Sequence, residues 1–193
     1  MGSVGVFCGS SSGTGERYTE AAQELGALLA EERVSLVYGG GRVGLMGTLA
    51  DSCLARGGHV VGVIPRGLFR REVAHRGVSE LLEPPTMHER KALMYDRSDA
   101  FVALPGGLGT LDELAEVATW TQLGLHRKPL VLLDVDGFWR PFVELLDTMV
   151  AAGLLKQANR ELLAVHSTPR DALEHLRSVE PTYVEKWIEA DDR

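Results

Sequence analysis

With 193 residues and 45% hydrophobic content, the chain is long enough for one compact α/β domain and leaves little room for a second. A formal net charge of -7 argues against non-specific adhesion to nucleic acid or anionic lipid, both of which reward clustered Lys and Arg. No apolar run approaches the roughly 20 residues of a membrane span, which keeps a small-molecule ligand as the open class.

Met1-Gly2-Ser3-Val4 leads straight into a strand-like segment instead of a charged-then-apolar signal, so the expected location is cytoplasmic. Short apolar runs rich in β-branched residues recur at 4–8, 35–38, 60–64, 100–104 and 130–135, each followed by turn residues and helix-period sequence. Helices are expected at about 16–32, 45–56, 87–96, 111–123, 138–152 and 170–178, with a short strand at 79–82 before Pro84-Pro85. The strands lack polar alternation, which fits burial on both faces in a parallel sheet flanked by helices, with right-handed crossovers. The expected organisation is a single α/β domain over 1–193, its end from 181 onward a charged tail around Tyr183 and Trp187. Cys8 and Cys53 show no CxxC or Cys/His spacing; they read as reduced thiols, with no disulfide and no metal site.

Glycines cluster after three of the strands: CGSSSGTG at 8–15, containing Ser10; YGGGRVGLMG at 38–47, containing Gly40 and Gly41; and PGGLGT at 105–110, containing Gly106, Gly107 and Gly109. All three turns fall on the carboxyl edge of the sheet, where open parallel sheets bind ligands. Glycine lets backbone N–H groups approach a ligand, and each turn feeds a helix N-terminus that favours an anion. One such loop is equally well explained as a tight turn; three on one edge point to a phosphate-bearing ligand. The run from Gly39 to Gly44 formally matches GxGxxG, but no acid follows the next strand, which ends Val63-Ile64-Pro65, and this weakens a dinucleotide reading. No loop contains GK[ST], so a monophosphate fits better than a triphosphate.

Thr110-Leu111-Asp112-Glu113 has capping-box spacing, which would make Glu113 a structural cap. Beyond it, Leu111, Leu114, Ala115 and Ala118 read as an apolar stripe, while Glu113, Glu116 and Trp120 share another face. That second face, with two carboxylates, an aromatic ring and no Lys or Arg until Arg127, is the alternative to the cap: a site beside the glycine loop. A second capping-box pair, Thr86 and Glu89, precedes Arg90 and Lys91. These are either solvated bases or an anion clamp, a task that a planar guanidinium performs bidentately.

In order and spacing, Gly39-Gly40-Gly41, Gly44-Leu45-Met46-Gly47, Met87-His88-Glu89-Arg90-Lys91 and Pro105-Gly106-Gly107-Leu108-Gly109-Thr110-Leu111-Asp112-Glu113 resemble the LOG ("Lonely guy") family, from 4 to about 155. These are cytokinin riboside 5′-monophosphate phosphoribohydrolases of Rossmann-like fold. The resemblance implies catalytic roles for Arg90 and Glu113, with Lys91 beside the former. It also implies nucleotide contacts from Gly106, Gly107, Leu108, Gly109, Thr110, Leu111 and Asp112, and from Glu72, Glu116 and Thr119, alongside the turn residues Ser10, Gly40 and Gly41. No cofactor is implied, and the implied assembly is a homodimer whose pocket borders the interface, with Trp120 and the 87–94 helix as candidates for that surface. Leu108 stands where many members have Tyr, and Asp112 where many have Glu; both bear on base preference. Members have often been labelled "lysine decarboxylase", but a pyridoxal-phosphate enzyme needs a Schiff-base lysine, and Lys91, Lys128, Lys156 and Lys186 show no such setting. The reaction implied is cleavage of a cytokinin nucleotide, or AMP, to base and ribose 5-phosphate. A nucleotide or molybdopterin-type cofactor carrier is the competing reading, and a DNA-binding relative a third, which the acidic charge disfavours.

Overall fold

A computed structural model describes residues 1–67 and 74–179. Glu72 and the 181–193 tail with Tyr183 and Trp187 lie outside the described residues. Seven strands alternate with helices: β1 (Ser3–Phe7), α1 (Glu16–Glu31), β2 (Ser35–Tyr38), α2 (Gly44–Ala55), β3 (Val60–Val63), β4 (Glu80–Leu82), α3 (Met87–Asp96), β5 (Ala100–Ala103), α4 (Leu108–Gln122), β6 (Leu130–Leu133), α5 (Arg140–Ala151), α6 (Gln157–Arg160), β7 (Leu163–His166) and α7 (Pro169–Ser178). Every strand pair is parallel, in the order β4-β3-β2-β1-β5-β6-β7. The expected Rossmann-like α/β fold is what forms. β7 and α6 were not expected; β7 is an edge strand of four residues, only the first of them buried.

β3, β5 and β6 are buried at every position, because helices cover both faces. On one face, Leu25 and Leu29 of α1, Leu49 and Cys53 of α2 and Leu173 of α7 close over Val4, Val6, Leu36 and Val102. On the other, Met94 and Tyr95 of α3, Leu114 and Val117 of α4 and Trp139 close over Phe7, Val37, Phe101 and Leu132. Among the described residues, no helix is long and apolar enough to cross a membrane.

The direction of strand addition reverses at β1, which pairs with β2 on one side and β5 on the other. Loops leaving β1 and β5 therefore diverge and open a crevice at the carboxyl edge. The Gly9 N–H donates to the Pro105 carbonyl at 3.1 Å, fixing these two loops to each other. Helices α1, α2 and α4 start on Gly15, Val43 and Gly107 without a side-chain cap. By contrast, α3 and α7 are capped by Thr86 and Thr168, whose hydroxyls accept from the N–H groups of Glu89 and Asp171. α5 and α6 also lack a side-chain cap, but α1, α2 and α4 are the helices that follow the glycine turns, and their first N–H groups are left available to a ligand at the carboxyl edge.

α1 packs tightly on α2 at Gly26, where a Cβ would stand 2.3 Å from the Leu49 carbonyl oxygen. Gly26→Ala is therefore expected to lower unfolding free energy by about 2 kcal/mol, read as a lower urea midpoint at unchanged slope.

Candidate active site

α4 opens on Gly107, so Thr110 and Glu113 lie inside the helix and the capping box expected at Thr110 does not form. The reason is steric freedom at the preceding turn. A Cβ on Gly106 would stand 2.1 Å from Thr110 Oγ1 and 2.9 Å from the Gly9 nitrogen, so only glycine lets the chain fold back this tightly and begin the helix early. Within it Leu111, Leu114 and Ala118 of the expected stripe pack on the core and Ala115 is exposed, while Thr110, Glu113, Val117 and Thr121 are buried as well.

Glu113 is consequently carried inward, only 4% exposed, against Arg90, 8% exposed. Arg90 Nη1 donates to Glu113 Oε1 at 2.6 Å, and Arg90 Nε donates to the Val63 carbonyl at 3.0 Å. The other guanidinium nitrogen, Nη2, lies where a Cβ on Gly39 would approach to 2.3 Å, so the first glycine of the 39–41 turn makes room for the guanidinium. Met87 Sδ lies 3.6 Å from Nη1. Burial pushes the Glu113 carboxyl above its ordinary range, against the opposing charge and hydrogen bond of Arg90.

The pair closes one side of a cleft of about 270 Å³. The start of α4, from Gly107 to Thr110, forms another side with Gly9 and Ser10, and Met46, Pro65 and Met87 supply an apolar wall with Cys8. Burial, reinforced by the nearby Glu113 charge, raises the Cys8 thiol far above its usual value, so it is a neutral lining group. A second cavity of about 240 Å³ adjoins across Gly9, Ser10 and Gly107, lined by Gly106, Tyr18, Leu45 and Phe138. The wider groove of about 780 Å³ between α1 and α2 is open and solvated, and its ion pair Glu31–Arg56 is half exposed; the buried charge pair makes the smaller cleft the candidate site.

Of the residues expected at the site, the cleft gathers Ser10, Arg90, Gly107, Leu108, Gly109, Thr110 and Glu113. Lys91, Asp112 and Glu116 form a separate cluster: Lys91 Nζ lies 3.1 Å from Asp112 Oδ2 and 3.0 Å from Glu116 Oε2. Burial alone would lower the Lys91 ammonium, but the two carboxylates overturn that and raise it. Gly40 and Gly41 face the 74–75 segment, Gly40 accepting from the His75 N–H at 2.9 Å and Gly41 bridging Ala74. Leu111 packs on the core, and Thr119 is exposed on α4. Sequence reasoning did not single out Cys8, Pro65, the Val63 carbonyl or Tyr95 for the site. Cys8 and Pro65 stand at strand ends, a detectable signal, whereas a backbone carbonyl has none.

Comparison with known proteins bears directly on this constellation. The family model described as "Possible lysine decarboxylase" matches residues 46–176. The cytokinin riboside 5′-monophosphate phosphoribohydrolase LOG7 of Arabidopsis thaliana is 44% identical over 191 residues, covering 96% of this chain and 88% of its own. The enzyme of the same name from Rhodococcoides fascians is 46% identical over 177 residues, 91% of this chain and 89% of its own. This chain belongs to the LOG family. Among solved structures, the molybdenum cofactor binding protein of Rippkaea orientalis superposes with a TM-score of 0.69 at 24% identity, over 91% of this chain and 95% of that one; at this identity the likeness is one of fold. The LOG motif MHxRK supplies Arg90 and Lys91, and PGGxGTxxE supplies the α4 start and Glu113, so the two motifs meet in one ion pair.

Removing the guanidinium leaves Glu113 buried and unpaired. Arg90→Met is expected to cost about 3 kcal/mol near neutral pH. The carboxyl of that variant rises further above its unfolded value, so the penalty is full above the folded value and vanishes below the unfolded one. Urea titrations at about pH 7.5 and about pH 5 should show the loss shrinking at the lower pH.

Proposed function

We propose that this protein hydrolyses the N-glycosidic bond of cytokinin riboside 5′-monophosphates, and of AMP, to free base and ribose 5-phosphate. The observation that carries the reading is the buried Arg90–Glu113 pair standing beside the uncapped start of α4 in one cleft. The two relatives named for this reaction, at 44% and 46% identity, support it.

The chemistry follows from the parts. The N–H groups at the start of α4, with the Ser10 turn, form an anion site for the 5′-phosphate. A phosphate fixed there directs the ribose toward Glu113, using binding energy from a group that does not react. As the bond from the anomeric carbon to the base nitrogen breaks, its electron pair goes to the base and positive charge develops on the ribose. An ionised Glu113 stabilises that charge and takes a proton from the water that adds to the anomeric carbon; the departing base takes up one proton in turn, which leaves free base, ribose 5-phosphate and an ionised Glu113. Arg90 holds Glu113 ionised and oriented. The thioethers of Met46 and Met87 with Pro65 offer the apolar wall that a base with a hydrocarbon substituent needs.

The homodimer and the cytoplasmic location belong to the same proposal. Leu108, Leu123 and Leu125 are exposed around the helix that carries Glu113, a surface suited to a second subunit. Both cysteines are buried and free, as in a reducing compartment.

Purified protein incubated with isopentenyladenosine monophosphate, AMP and the dephosphorylated nucleoside should release base from the monophosphates alone. Nucleotide recovered intact throughout would overturn the reading in favour of a carrier. Glu113→Gln is expected to lower kcat by about 10²–10³-fold. Because ionised Glu113 is the active form and burial raises its carboxyl, the acid limb of the kcat/KM profile should lie above the ordinary carboxylate range, activity falling as pH drops through it.

A further inference from the structure

One oxygen of Glu116 receives two donors: the Tyr95 hydroxyl at 2.5 Å and the Lys91 ammonium at 3.0 Å. Tyr95 is itself fixed. The residue is 3% exposed, and its ring meets Trp120, Phe101 and Phe7 edge-on, at centroid distances of 4.5, 5.8 and 6.3 Å. The Lys128 ammonium donates to the Tyr95 carbonyl and pins the end of α3. The α3 and α4 backbones do not pack closely on one another; long polar side chains span the gap. Lys91 is the neighbour of Arg90 in α3, and Glu116 lies one turn beyond Glu113 in α4, so a movement of one helix that strains this network also displaces the Arg90–Glu113 bond.

We propose that the Tyr95 hydroxyl is a positioning group for the catalytic pair, setting through Glu116 and Lys91 where Arg90 stands relative to Glu113. The core-locked phenol is the fixed point, the Glu116 carboxylate the joint and Lys91 the strut. The inference rests on the phosphoribohydrolase reading for its kinetic consequence and gives Glu116 a role other than contact with the ribose. Glu116 is absent from the cleft lining, and the oxygen it turns toward α3 is already shared. A bond of 2.6 Å between the reacting carboxylate and its partner tolerates little displacement, since catalytic geometry is sensitive at the ångström scale.

Tyr95→Phe removes the hydroxyl and keeps the ring. It, Glu116→Gln and the double variant would be compared with the wild type on AMP and isopentenyladenosine monophosphate, after circular dichroism shows them folded. The expected result is a loss of kcat of about tenfold in each single variant, with KM changed less than about twofold. The double variant should fall no further than Glu116→Gln, because both act through one carboxylate. An unchanged kcat in folded Tyr95→Phe, a raised KM with kcat intact in Glu116→Gln, or losses that multiply in the double variant would each overturn the proposal. A second readout is independent of turnover: the ¹⁵N-resolved Nε–Hε resonance of Arg90, protected in the wild type by the Val63 carbonyl. In Tyr95→Phe it should shift and exchange with solvent about fivefold faster or more; an unchanged signal refutes the proposal. Should the wild type release no base, the reaction reading fails by itself and the Arg90 resonance decides the positioning role. Should Tyr95→Phe not fold, Glu116→Gln carries both readouts.

Discussion

Taking a carboxylate out of water is unfavourable unless a partner and hydrogen bonds compensate, and the placement of Glu113 imposes that constraint on everything around it. Its carboxylate needs Arg90. Arg90 in turn needs the Val63 carbonyl for its Nε, and an unsubstituted Gly39 for the space its Nη2 occupies. Four separate stretches of chain, in the turn after β2, at the end of β3, at the start of α3 and in the first turns of α4, are thus committed to one ion pair. A structural salt bridge could be replaced by apolar residues at little loss. This one sits in a cleft beside a helix N-terminus, where a charge held ready in a poor solvent has a chemical use.

Glycine acts here more through volume than through flexibility. Gly106 admits Thr110, Gly39 admits the guanidinium and Gly26 admits the α2 backbone. Each removes a Cβ at a point of close approach, and the first two do so within the site itself. Glu113 and Glu116 both reach toward α3 from one face of α4, Glu113 to Arg90 beside the cleft and Glu116, a turn further on, to Tyr95 and Lys91.

The strands of the sheet interior were legible as short apolar runs followed by helix-period sequence; β7 was missed although Leu163-Ala164-Val165 is as apolar, because the helix before it has only four residues and gives no helix period to mark a β-α unit. The start of α4 was misread for a physical reason. Thr110 and Glu113 satisfy a local capping rule, but the glycine turn had already begun the helix, and tertiary packing at Gly106 overrode the local signal. Of the apolar stripe, Leu111, Leu114 and Ala118 pack on the core and Ala115 does not. Arg90 and Glu113 were legible by residue type and motif. Their pairing across 23 positions and the carbonyl that steadies them were not, because backbone acceptors leave no mark on residue identity. Tyr95 looked like any core aromatic; its hydroxyl acquires meaning only when α3 and α4 are placed side by side.

β1 sits at the junction between two halves of the sheet, pairing Val4 with Leu36 on one side and with Ala100 on the other. Arg90 is tied to the half that contains β3, while Glu113 follows β5 in the other. The two members of the pair therefore come within reach only when β5 has docked against β1. The seam between the two halves of the sheet is thus also the seam across which the ion pair is assembled, and strands β6 and β7, which add beyond β5, take no part in it.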